Sequence, residues 1–224
     1  NKLFIGTIPK YGAVGGALIT YTDIPGTVEP WTLPHTNFVS GSNQSISALA
    51  YRSNSLYGGT TINGGLNSTP TATSAKLFKW NTALDQLSLE RELEIDDFTP
   101  TLIGHLTFDA AGNLWGAAHG KRDNGIETFA IFEMNPVDFS VISYKLVYDQ
   151  SPGGSKWRGF YLYFGSDGLL YTTIGRYLTV FKPSDLSQYT KVVDKNVQLM
   201  ALAPNGDIYY TTGGRKLFKL PMNP

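Results

Sequence analysis

Short apolar stretches alternate along the chain with clusters of turn-forming residues, and one arrangement recurs. A turn rich in Asn, Asp or Gly leads into a brief strand that opens on an aliphatic residue followed at once by an aromatic. Arg52-Ser53-Asn54-Ser55 precedes Leu56-Tyr57-Gly58, and Asp109-Ala110-Ala111-Gly112-Asn113 precedes Leu114-Trp115-Gly116. Ser166-Asp167-Gly168-Leu169 precedes Leu170-Tyr171, and Pro204-Asn205-Gly206-Asp207 precedes Ile208-Tyr209. Lys2-Leu3-Phe4-Ile5-Gly6 is the same strand without its turn. Anchored on Leu3, Leu56, Leu114, Leu170 and Ile208, the spacings are 53, 58, 56 and 38 residues. Asn and Gly supply the positive-φ positions that tight hairpins require.

The remaining strands fall into place around this cassette. An apolar strand precedes each turn, at Ile46–Tyr51, Ile103–Phe108, Phe160–Phe164 and Leu199–Ala203. A strand with another aromatic follows, at Ala17–Tyr21, Ala75–Trp80, Thr128–Met134, Tyr177–Phe181 and Lys216–Leu220. A more polar strand closes each complete unit, at about Gln86–Leu93, Val141–Tyr148 and Tyr189–Val193. Period-2 alternation with short connections predicts antiparallel sheets. Four strands per unit, with the most apolar first, is the organisation of a β-propeller blade. The fold expected is therefore all-β, a propeller of four-stranded antiparallel blades. A β-sandwich gives no reason for one cassette to recur.

Calling the strands of a unit A to D outward from the channel, the first unit carries B, C and D and the last A, B and C. The predicted divisions are a partial blade at 1–40, blades at about 41–96, 97–150 and 151–195, and a partial blade at 196–224, eighteen strands in all. The two partial units share B and C, so they cannot complete one another. The pattern reads as the C-terminal part of a six- to eight-bladed ring, with a missing segment or second chain completing it. An irregular five-bladed ring is the alternative.

Composition narrows the function classes. Eighteen basic residues balance eighteen acidic ones, and only 16% of residues are charged, against about 25% in ordinary soluble domains. That excludes a simple electrostatic nucleic-acid binder. The chain has 24 Gly, 12 Pro and no Cys, so thiolate chemistry and zinc–thiolate sites are excluded too. No apolar run is long enough for a transmembrane helix. The glycine runs do not open a helix, so no phosphate loop or dinucleotide site is read, and no cofactor or metal site is expected. Low charge and abundant Thr, Ser, Asn and Tyr point to an extracellular or cell-surface setting.

Candidate chemistry gathers in the B–C and D–A loops, which emerge on one face of a propeller. They carry Tyr11, Asn43, Gln44, Asn63, His119, Arg122, Trp157, Arg158, Arg176 and Arg215. Amides, guanidinium forks and aromatic platforms in one region suit a polyhydroxylated or anionic ligand. The same loops also need polar residues simply to turn. Among the three histidines, His119 ends a B strand at the loop face and is the candidate acid or base. His35 reads as structural, and His105, on an inner strand, as either channel-facing or core.

The aromatic-plus-glycine cassette resembles that of kelch-like, quinoprotein-like and sugar-processing propellers, over essentially the whole chain. Kelch repeats place paired glycines before their aromatics, whereas Gly58-Gly59 follows Tyr57. Several polysaccharide lyases are propellers that use His, Tyr and Arg at the channel mouth. That resemblance implies His119 or Tyr11 as acid/base and Arg122 and Arg158 as neutralisers of a substrate carboxylate. Two functions follow from these readings. One is a recognition or scaffolding propeller for a glycan or protein surface; the other is part of a polysaccharide lyase.

Overall fold

A computed structural model describes residues 2–22, 26, 34–36, 38–39, 43–149, 160–194, 196–213 and 216–221. The strands are β1 (Lys2–Gly6), β2 (Ala17–Thr22), β3 (His35–Thr36), β4 (Ser45–Arg52), β5 (Ser55–Thr61), β6 (Lys76–Asn81), β7 (Gln86–Glu92), β8 (Thr99–Phe108) and β9 (Leu114–Lys121). They continue as β10 (Glu127–Met134), β11 (Val141–Val147), β12 (Leu162–Phe164), β13 (Leu170–Ile174), β14 (Tyr177–Lys182), β15 (Asp185–Val193), β16 (Val197–Leu202), β17 (Ile208–Thr212) and β18 (Leu217–Leu220). His35 lies in a short strand, opposite Leu18.

The chain divides into two compact units. Asn1–Leu93 with Thr99–Ile103 forms the first, and Glu94–Phe98 with Gly104–Pro224 the second. Hydrogen bonding groups the strands into antiparallel sheets of three, eight, four and three. Uniform four-stranded blades are therefore not what the ladders give. The cause of the eight-stranded sheet is local. β5 runs one residue past its partner β6, and Thr61 bridges Leu102 at the start of β8. Ile62 N–H adds a bond to Thr101 O at 3.0 Å. Similar single bonds join Ile46 N–H to Thr7 O at 3.2 Å and Val197 N–H to Arg176 O at 2.9 Å.

The recurring turn has a specific anchor. Asp109 accepts the backbone N–H of Gly112 and of Asn113 on one oxygen, at 2.6 and 2.9 Å, and the Trp115 indole N–H on the other at 3.0 Å. Asp167 does the same for Leu169 N–H at 3.0 Å and the Tyr171 hydroxyl at 2.8 Å. One carboxylate therefore fixes both the turn and the aromatic that follows it. Burial, and then this bond, pushes the Tyr171 hydroxyl upward, so the phenol stays protonated.

The strands repeat a second device. Gly58 faces Phe78 across β5 and β6, and Gly116 faces Phe132 across β9 and β10. A Cβ on either glycine would lie 1.9 or 2.2 Å from the facing ring. Each phenylalanine therefore lies flat over a bare backbone position, and Phe78 and Phe132 are fully buried. In the first unit Leu18, Ile46, Leu56, Phe78 and Trp80 make one core cluster, edged by Phe4 and Phe38. In the second, Tyr171, Leu178, Val197, Met200 and Ile208 make another.

Candidate functional site

In the first unit the loop 9–16 interlocks with the loop 61–74. Gly12, with φ of 73°, donates to Leu66 O at 2.8 Å, and Gly65 donates back to Ala13 O at 2.8 Å. Gly15, with φ of 92°, donates to Asn43 O at 3.0 Å. A Cβ on Gly65 would stand 1.9 Å from Lys10 O, and one on Gly64 2.3 Å from Ala13 O. Only glycine permits so close a backbone approach. The consequence is a stiff two-loop platform from which Tyr11 and Leu66 project, 70% and 64% exposed.

Three predicted ligand residues form the base of this platform. Gln44 is buried; its amide donates to Ser74 O at 3.0 Å, and its carbonyl accepts from the Thr60 hydroxyl. Asn63 donates to Thr61 Oγ1 from its backbone N–H and from its side-chain amide, at 3.2 Å each, and its backbone carbonyl accepts from buried Ser45 at 2.9 Å. Asn43 donates to Thr71 Oγ1 at 3.3 Å. The amides of Gln44 and Asn43 and the backbone of Asn63 hold these segments together, and of the predicted residues in this unit Tyr11 faces outward.

The second unit holds His119, Arg122 and Arg176. His119 is 5% exposed on β9, with its ring 5.0 Å from that of Phe129 and its Nε2 3.7 Å from Glu127 Oε2. Arg122 donates through Nη1 to Asp97 at 2.7 Å and through Nε to Asp149 at 3.0 Å. Bonds to Asp149 and then Asp97 hold the guanidinium above its ordinary value. Asp97 is held low by the Asp123 N–H and then by Arg122, and Asp149 by Arg122 and then by Thr128. The arginine fork is thus filled by the protein's own carboxylates. Arg176 is exposed, in a Gly175-Arg176 turn with φ of 58° and 67°. Trp157, Arg158 and Arg215 lie outside the described residues.

One cluster was only half legible beforehand. His105 on β8 is packed edge-on to Tyr163 at 6.0 Å, and Tyr163 lies 6.5 Å from Tyr161. Burial pushes the imidazole down, against the opposing bond to Phe160, so the ring is neutral at neutral pH. The alternation of Tyr161 and Tyr163 beside an apolar Leu162 was the available signal for their common face. Among the described residues no helix is long and apolar enough to cross a membrane.

No family model and no curated protein matches the sequence. Solved structures match in shape. One is a protein of unknown function from Bacteroides caccae, at a TM-score of 0.52 and 13% identity over 99% of this chain and 69% of that one. Another is the Dos1 propeller, at a TM-score of 0.57 and 12% identity over 95% of this chain. The chain spans 49% of the length of that propeller. Identities this low carry the fold alone, and the likeness to the Dos1 propeller is a likeness to a propeller-type fold.

Proposed function

We propose that this chain belongs to a β-propeller that acts in recognition at the cell surface or outside the cell. Its blades follow the divisions read from the repeat, and further sheets from a second chain or additional segment complete the ring. The ligand is a glycan, met on the platform of loops 9–16 and 61–74. The observation that carries this reading is the glycine-dependent interlock that holds Tyr11 outward on rigid backbone. An aromatic ring presented this way offers a stacking face without an ordering cost on binding.

The lyase reading asks for an arginine able to meet a substrate carboxylate and a base open to substrate. Arg122 is engaged by Asp97 and Asp149, and His119 is buried against Phe129; Tyr11, the other candidate base, is exposed, and Arg158 lies outside the described residues. Recognition is the reading these contacts favour. Affinity electrophoresis through gels containing neutral or uronic-acid polysaccharides tests it. The wild-type chain should be retarded by at least one polysaccharide, and Tyr11→Ala should weaken that retardation about tenfold with the melting temperature unchanged. Equal mobility in every gel would remove the glycan reading. Release of unsaturated sugar products, lost in His119→Ala, would restore the lyase.

A further inference from the structure

A cavity of about 710 Å³ opens beside β1 in the first unit. Leu3 and Phe4 of β1 form one wall, and Leu49, Ala50 and Tyr51 of β4 the other. It continues an interface already made. Thr7 O accepts from Ile46 N–H at 3.2 Å, and the Phe4 and Tyr51 rings stack at 6.3 Å. Leu3 and Tyr51 are nevertheless each 55% exposed.

The second unit holds the finished version of the same contact. Trp115, which occupies the place of Phe4 in its own cassette, meets Phe164 at 5.6 Å and is only 2% exposed. The difference lies in what flanks the strand. β9 has β8 on its inner edge, and β5, β13 and β17 have β4, β12 and β16. Among the described residues β1 pairs with β2 alone.

The backbone groups on the open edge follow from the ladder. Thr7 N–H donates to Ala17 O at 3.0 Å, so the Gly6 C=O, anti to it on the same planar peptide unit, points away from β2. Alternation then turns Leu3 and Ile5 toward β2, and turns the N–H and C=O groups of Lys2, Phe4 and Gly6 outward. An edge left unpaired among the described residues, beside an apolar cavity, is a template for another strand.

We infer that β1 and this cavity receive an extended peptide strand, antiparallel to β1, with alternating apolar side chains and an uncharged centre. The inference rests on the propeller reading, in which that strand is the A strand of the first blade. Its chemistry is set by the lining, whose charged member among the described residues is Lys2 at the rim. β4, the corresponding strand of the next unit in that reading, supplies the probe: Ser45, Ile46 and Ala48 are buried, Ser47 is half-buried, and its ladder shifts register between Ile46 and Ala48.

Hydrogen exchange on the whole chain tests this, with a synthetic peptide of the β4 sequence Ser45–Arg52 as the probe. Exchange in residues 2–7 should slow at least tenfold when the peptide is added. A control peptide with proline at two alternate positions, which cannot complete a ladder, should have no effect. No slowing at 2–7, or slowing confined to β18, would overturn the inference. Protection of 2–7 without peptide, together with self-association in sedimentation, would also overturn it and make a second copy the occupant. Polysaccharide retardation is read on the chain without peptide, so failure of the glycan reading and failure of this one are separate results.

Discussion

β9 and β1 begin from the same cassette, an aliphatic residue followed by an aromatic, and end in opposite environments. Leu114 and Trp115 are sealed, at 0% and 2% exposure, while Leu3 is 55% exposed and Phe4 only partly buried. The last sheet repeats the contrast, since Leu217 and Leu199 are 67% and 56% exposed. Nothing in the strands' own residues separates these cases. Burial of an apolar side chain in a repeat architecture depends on the neighbouring sheet, because each sheet covers the face of the next. Strand formation is therefore a local property here, and core formation is not.

The largest expected effect comes from truncating the sealed aromatic. Trp115→Ala should destabilise by about 3–5 kcal/mol in urea denaturation, since it leaves a closed cavity where a fully buried ring stood. The equivalent Phe4→Ala should cost about 1–2 kcal/mol, because part of that ring already meets water. Equal losses would break the contrast between sealed and open strands. A smaller effect should follow at the glycines under the phenylalanines. Gly58→Ala and Gly116→Ala should each cost about 1–3 kcal/mol through overpacking against Phe78 and Phe132. Similar values would show that the same device is used in both units, and a tolerated alanine at one would limit it to the other.

The smallest effect concerns Arg122. The folded-state values of Asp97 and Asp149 lie below the ordinary 3.8. Their contribution is accordingly present above 3.8 and is lost as pH falls through the depressed values. Arg122→Met should lower stability slightly at pH 7, with the difference from wild type closing under acid. The partly exposed carboxylates keep this effect small. A difference that persists unchanged at low pH would show that packing of the arginine stem, not its charge, is what matters.

How much was legible beforehand differed between fold and site. Strands such as Tyr177–Lys182 and Gln86–Glu92 were readable from alternation and flanking turns. The site residues were read as one polar set because loops of one kind emerge together. In the structure Asn43, Gln44 and Asn63 brace loops of the first unit, while Arg122 binds carboxylates 25 and 27 positions away. No local pattern announces such partners, since a guanidinium in a loop looks the same whether paired or free. The divisions between blades were read from spacing, yet the Thr61–Leu102 bridge joins sheets across one of them.

What the sequence determined by itself was the all-β character, the positions of the strands and the turns between them. Those depend on period-2 alternation and on residues that accept positive φ, and both act within a few positions. The tertiary structure alone decided that Tyr11 stands outward while Gln44 and His119 are buried, and that among the described residues β1 pairs on one edge only, beside a cavity. Those outcomes depend on which distant segment arrives next to each strand, and the free energy of covering apolar surface is realised only where it does.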